Sequence, residues 1–229
     1  LDFTRAFSYA FDDKQWTEKL VITIIMAFLS SIPLIGLVAL AALLGFMVEL
    51  IQNVRDGRPE PLPRWGNYGD KIASGGNVLV AWIVYNIGNF LAVCCIATVP
   101  SLMGNSQIFN SGFSLVVLCC ILPMLLVYNI FVWAMLAVGV VRYAETGTIG
   151  VFFQFGDLFS TLNTHSRLIV QWVILSFIAS LMLGFINIIP CLGWLASLAL
   201  IFPVQGHLLG QLALALDDKP KRKFKRAGY

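Results

Sequence analysis

One histidine in this chain stands inside an apolar run. His207 lies in Gln205-Gly206-His207-Leu208-Leu209-Gly210-Gln211, with Gln211 one helical turn away. A neutral imidazole so placed can ligate the metal of a haem or chlorin, with Gln211 holding the other ring nitrogen. The same residue also reads as a helix–helix hydrogen bond near a polar boundary. His165 stands beside Arg167 in a charged segment, so the chain offers no second apolar-run histidine for a paired ligand set. Glu49 is the one acid set into an apolar run. As a proton or cation site it needs a partner inside a bundle, and as a solvated group it needs only Arg55 or water. Asn86 and Asn89 share a helical face, and Tyr128, Asn129 and Gln171 follow in later runs. They line a path for a small solute, or they are hydrogen-bond glue between helices worth about 1 kcal/mol each.

The cysteines carry less. Cys94-Cys95 and Cys119-Cys120 are adjacent pairs in apolar runs, and Cys191 is isolated. Adjacent cysteines fit a tetrahedral zinc poorly, and small packable side chains are the simpler reading. The sequence has no glycine-rich phosphate loop followed by Lys, no His-Glu-x-x-His and no nucleophile elbow. No enzyme is expected, and no metal site.

The elements that hold these residues follow from composition. Of 229 residues, 59% are hydrophobic and 12% charged. Mean hydropathy is +0.83. A water-soluble domain of this size cannot hide so much apolar surface. The composition excludes a soluble globular enzyme, a disordered chain and a secreted disulfide scaffold, and predicts an all-α integral membrane protein.

Charges occupy four regions: residues 1–19, 56–77, 142–167 and 217–229, with Glu49 and Arg55 at the edge of the second. Between them lie apolar stretches at about 20–55, 78–141 and 168–216. A spanning helix needs about 20 apolar residues. Each stretch therefore predicts two helices, broken at Ser30-Ser31-Ile32-Pro33, at Met103-Gly104-Asn105-Ser106-Gln107 and at Asn187-Ile188-Ile189-Pro190. The expectation is six transmembrane helices in three hairpins forming one domain over 20–216. The positive-inside rule puts both termini and every charged loop in the cytoplasm of a multi-pass inner-membrane protein. Phe3, Phe7 and Phe11 recur on one face of the acidic, aromatic N-terminal segment, which reads as interfacial and not as a cleavable leader. Pro59, Pro61 and Pro63 impose an extended path that sets Trp65 into the interface. Pro123 predicts a kink in the fourth helix.

The tips repeat. Ile32-Pro33-Leu34-Ile35-Gly36 matches Ile189-Pro190-Cys191-Leu192-Gly193, and Val99-Pro100 with Gly104 is looser. Tyr68-Gly69-Asp70 resembles Phe155-Gly156-Asp157, and each precedes a span that carries a Trp, Trp82 or Trp172. A unit of interfacial segment, span, Pro-Gly tip and returning span used three times is one reading. The other is that Pro and Gly are common at membrane turns. Ser176, Ser180 and Gly184, with Gly206 and Gly210, form small-residue stripes that predict close helix contacts.

With Phe11-Asp12-Asp13 and Trp16, Ile32-Pro33 and Gly36, Asp56-Gly57 through Leu62-Pro63 and Trp65, and the Phe-Gly-Asp at 155–157, most of the chain resembles a prokaryotic membrane family, domain of unknown function 4013. The resemblance implies a small polytopic membrane protein. It implies no activity and transfers no functional residue.

The expected function is therefore a non-catalytic accessory, scaffold or assembly subunit of a larger membrane complex. The alternatives are a small-solute transporter or channel through Asn86, Asn89 and Asn129, and a pigment- or haem-binding subunit through His207. Expected partners are lipids and other integral membrane subunits, with a neighbouring pigment or quinone in view and nucleic acid excluded. The tail from Asp217 onward has six basic and two acidic residues, against nine and ten elsewhere. Lys219, Lys221, Arg222, Lys223, Lys225 and Arg226 read as a headgroup-docking cluster, with Phe224 as an anchor, or as a topology signal alone.

Overall fold

The computed structural model describes residues 1–102, 107–188 and 192–217, and the regular elements among these are all helices, with no strand. The basic tail residues, Ile189-Pro190-Cys191 and the loop residues Met103 to Ser106 lie outside the described residues.

The N-terminal segment folds as α1 (Phe3–Ser8), capped by the Asp2 carboxylate accepting from Arg5 N, and a 3-10 turn (Tyr9–Asp12). The first hairpin is α2 (Trp16–Leu29) and α3 (Ile35–Arg55). The second runs from α4 (Tyr68–Tyr85) and α5 (Ile87–Leu102) out to α6 (Gln107–Val116), and returns through a π turn (Val117–Ile121) and α7 (Leu122–Thr146). Gly147, at φ 68°, closes α7 in the left-handed conformation that ends many helices. A 3-10 turn (Ile149–Phe153) and α8 (Phe155–Thr164) lead to the third hairpin, α9 (Ser166–Ile186) and α10 (Leu192–Leu216).

Among the described residues four helices are long and apolar enough to cross a bilayer: α3, the run Ser111–Thr146, α9 and α10. The pair α4 and α5, bent by 46° at Asn86, passes the same test together and makes a fifth if the two are one broken span. α2 has 14 residues, a rise of ~21 Å against a hydrocarbon core of ~30 Å. The second hairpin also starts earlier than hydropathy predicts. α4 begins at Tyr68, inside the expected interfacial segment 56–77, because residues 68–77 are helical where they pack on α3. Pro123 sits at the start of α7, directly after the π turn, whose wider hydrogen-bond spacing accommodates a residue without an N–H.

α3 is the centre of the body. It packs most on α4, then on α10, and buries Leu43, Phe46, Leu50 and Ile51 completely. α3 and α4 touch backbone to backbone. A Cβ on Gly75 would fall on the Ala41 carbonyl, and one on Gly45 would fall on the Lys71 carbonyl. At the first tip, Ile35 N donates to Pro33 O at 2.9 Å, a γ-turn that holds Leu34 at φ 70°. A Cβ on Gly36 would strike the Ser30 carbonyl, and one on Gly193 the Ile186 carbonyl. The two Ile-Pro-x-x-Gly glycines thus make the same close approach, each to the end of the preceding helix.

The outer part of the second hairpin is different in kind. Between residues 87 and 131, no residue whose burial is described is buried, and the buried positions of α7 begin at Val132.

Candidate functional site

Four polar constellations compete for a role. The first lies at the charged end of the body. Lys19, 5% exposed, is ion-paired with Asp13 and donates to Leu62 O at 2.8 Å. Trp65 Nε1 donates to Lys19 O at 2.9 Å and to Thr23 Oγ1 at 3.1 Å, and its ring stacks on Phe46 at 4.9 Å. Asn53 Nδ2 donates to Pro61 O at 2.9 Å. The proline-rich loop is therefore latched onto α2 and α3 through its own carbonyls, which an extended path leaves free. Glu49, its side chain partly exposed, is paired with Lys71 of α4 and not with Arg55. Arg55 lies 3.8 Å from Glu145, and Gln52 Nε2 donates to Ala144 O at 2.8 Å, which ties the end of α3 to α7. Arg142 donates to Thr161 Oγ1 at 2.7 Å and joins α7 to α8.

The second surrounds His207, which is buried. Its ring stacks on Tyr9 at 4.2 Å, and Nδ1 is 3.1 Å from Gln211 Nε2. Gln211 Nε2 in turn donates to Asp2 O at 2.8 Å, and Asp2 N donates to Gln211 Oε1 at 2.5 Å. Tyr9 OH donates to Pro203 O at 3.1 Å, and burial pushes that phenol well above its usual range, so it stays a donor. These bonds dock the N-terminal segment on α10. They leave a cleft of about 360 Å³ lined by Arg5, Asp12, Arg58, His207 and Gln211. One ring nitrogen of His207 is thus held by Gln211 and one ring face is covered by Tyr9. No group of three or more His, Cys, Asp or Glu among the described residues can hold a metal ion.

The third is the asparagine cluster at the bend of the second hairpin. Asn89 and Asn129 exchange reciprocal amide bonds of 2.9 and 3.0 Å. Asn89 Nδ2 also donates to Asn86 Oδ1 at 2.8 Å, and Asn86 Nδ2 donates to Trp82 O at 2.8 Å. Asn129 Nδ2 donates to Leu125 O at 2.7 Å. Tyr128 OH donates to Tyr85 O at 2.7 Å, and a Cβ on Gly88 would come within 2.8 Å of that hydroxyl. These amides bond to one another and to backbone carbonyls. They join α5 to α7, and Gln171 is exposed.

The fourth joins α9 to α10. Gln205 accepts from Ser176 Oγ, and its Nε2 donates to Ser176 O at 3.1 Å and Ser180 Oγ at 3.0 Å. Cβ atoms on Gly206 and Gly210 would lie 2.9 Å from Leu50 Cδ2 and 2.5 Å from Val54 Cβ, so this face of α10 lies against α3. Gly184 makes no such contact within this chain. It is exposed, with nothing within 4 Å of a Cβ built there. Eight residues beyond Ser176 on a 3.6-residue helix it has rotated by roughly 80°.

Beside Gln205 lies an apolar cavity of about 340 Å³ among α3, α4, α7, α9 and α10, which sequence reasoning misses. Three tryptophans line it: Trp82, Trp133 and Trp172. The sequence reading also misses the burial of Lys19 and Lys71 and the Gly45–Gly75 crossing. Gly75-Gly76 inside a helix was the available signal for the crossing, since a paired glycine there costs helix stability unless a backbone approaches. Cys94, Cys95, Cys119 and Cys120 are free and exposed.

No curated protein and no solved structure matches the chain. A family model described as a protein of unknown function, DUF4013, matches residues 24–192, well over half of the chain. That span contains the first Ile-Pro-x-x-Gly tip, the Asp-Gly to Trp65 loop and the Phe-Gly-Asp segment, and on it the chain belongs to the DUF4013 family.

Proposed function

We propose that this chain is a non-catalytic accessory or assembly protein of a membrane complex, with the outer part of its second hairpin as the docking arm. The observation that carries the reading is that, among the residues between 87 and 131 whose burial is described, none is buried by the rest of the chain, while α5 and the start of α7 are predominantly apolar. A predominantly apolar helix left uncovered belongs in lipid or against another membrane helix. The body is separately complete, latched at its charged end. The mutual bonding of Asn86, Asn89 and Asn129 supports glue over a solute path. In this reading the chain has six membrane segments, α2 being the short one, and the charged ends face the cytoplasm by the positive-inside rule. The basic tail then sits beside the inner headgroups.

The test is site-specific photocrosslinking in native membranes from Leu118 and Leu126, both exposed on the arm. Discrete adducts with another integral membrane protein are the expected result, with none from the buried control Leu43. Adducts to lipid alone would overturn the docking reading.

A further inference from the structure

We infer that the tryptophan-lined cavity of the body binds an apolar, membrane-soluble molecule through a carbonyl oxygen, with the Trp172 indole N–H as its donor. Trp172 is 2% exposed, lines the cavity, and its Nε1 is buried with no hydrogen-bond partner among the described residues. Buried donors are nearly always satisfied. Nε1 is covered, but its residue belongs to the cavity lining, so a molecule seated there that displaces the covering group supplies the missing acceptor. The second polar wall group, Gln205, spends its amide on Ser176 and Ser180. The remaining lining, including Leu40, Val78 and Leu209, is apolar.

Size and position narrow the ligand. About 340 Å³ is within the range of small-molecule sites and too small for a folded partner. Trp172 lies six residues into α9, ~9 Å from its charged end, while Leu40 and Trp82 lie toward the tips. A molecule with its carbonyl toward the charged end and an apolar body toward the tips fits that gradient. Trp133 meets Trp172 edge to face, with centroids at 5.6 Å, which provides an aromatic wall for a flat ring. Two membrane sources present this chemistry: a quinone ring and the ester carbonyl of an acyl chain. The inference rests on the membrane reading above but not on the docking arm.

The experiment uses the purified full chain in maltoside micelles, titrated with decyl-benzoquinone, methyl decanoate and decylbenzene, the last lacking a carbonyl. The readouts are the thermal unfolding midpoint and tryptophan quenching. A saturable rise with a carbonyl probe, at least tenfold tighter than any with decylbenzene, is expected. Trp172→Phe keeps the ring and removes the donor, and should weaken that probe about tenfold while leaving decylbenzene unchanged. Leu79→Trp, which fills the cavity, should abolish saturation while size-exclusion behaviour stays normal. The tighter carbonyl probe identifies the source. Equal response to all three probes, or an unchanged Trp172→Phe titration, would overturn the inference. If Trp172→Phe fails to fold, the carbonyl stretch of the tighter carbonyl probe, ¹³C-labelled, in the unaltered chain decides. A downshift from its value in empty micelles supports the bond, and no shift rejects it.

Discussion

Lys19 shows how a single residue changes meaning between sequence and structure. It reads as one more basic residue before the first apolar run, yet it is buried and held by Asp13 and the Leu62 carbonyl. Removing one member of a buried pair leaves the other uncompensated, at a cost of about 3–5 kcal/mol. Asp13→Ala should therefore destabilise the body by roughly that amount. The double change Asp13→Leu with Lys19→Met should recover most of the loss in a denaturant titration in micelles. A single variant within 1 kcal/mol of the parent would show the pair to be solvated in the native protein. Charge type and position were legible in the sequence for both residues. Their burial was not, because it depends on the proline loop folding back 43 residues later in the chain. The partner of Glu49, Lys71, is on the next helix and not on its own, which local spacing does not announce. His207 and Gln211 were read as neighbours on one turn, and they are. The Tyr9 ring that covers the histidine comes from a segment nearly 200 residues away, which no local pattern announces.

At the scale of elements, the hairpins were legible because long uncharged runs have few other structures in lipid. Their edges were not. Hydropathy starts the second hairpin at Val78, whereas α4 starts at Tyr68. The polar first turns of α4 are stabilised by a backbone-to-backbone crossing, which hydropathy cannot register. That crossing makes a paired prediction. Gly75→Ala puts a Cβ onto the Ala41 carbonyl and should separate α3 from α4, losing several kcal/mol and the folded, monodisperse species. Gly76→Ala, with nothing within 4 Å of its Cβ, should be neutral or stabilising by up to ~1 kcal/mol, since alanine is the better helix former. Equal behaviour of the two variants in thermal unfolding would remove the crossing as the reason for Gly75. Pro123 was expected to kink its helix. The π turn before it absorbs the missing N–H, so Ser111–Thr146 qualifies as one continuous span.

For the whole molecule, helix registers set the heights of the parts. α3 and α4 run antiparallel, with Ala41 beside Gly75 and Gly45 beside Lys71. Ten residues on from Gly75, Tyr85 lies ~15 Å further, whereas α3 ends at Ile35 only ~9 Å from Ala41. The bend at Asn86 is therefore level with the first tip or slightly beyond it. α10 packs on α3 with Gly206 beside Leu50 and Gly210 beside Val54, which brings the start of α10 to the same level. The apolar arm begins where both other hairpins end. The sequence does not reveal this difference in height, because hydropathy counts residues and not register. If the arm lies in lipid, the tips of the first and third hairpins lie below the far surface. Trp194, exposed just inside the third tip, should then be quenched most by lipids brominated deep in the acyl chains. Strongest quenching by headgroup-proximal bromines would place the tip at the surface and refute the height argument. The consequence falls on the lipid. A body that stops short beside an arm that continues presents two hydrophobic thicknesses to one bilayer. The far leaflet must dip over the body and recover along the arm, at a fraction of a kcal/mol for each ångström of mismatch. The protein would then act on its membrane as a one-sided dimple, drawn toward thin regions and toward other proteins that deform the same leaflet.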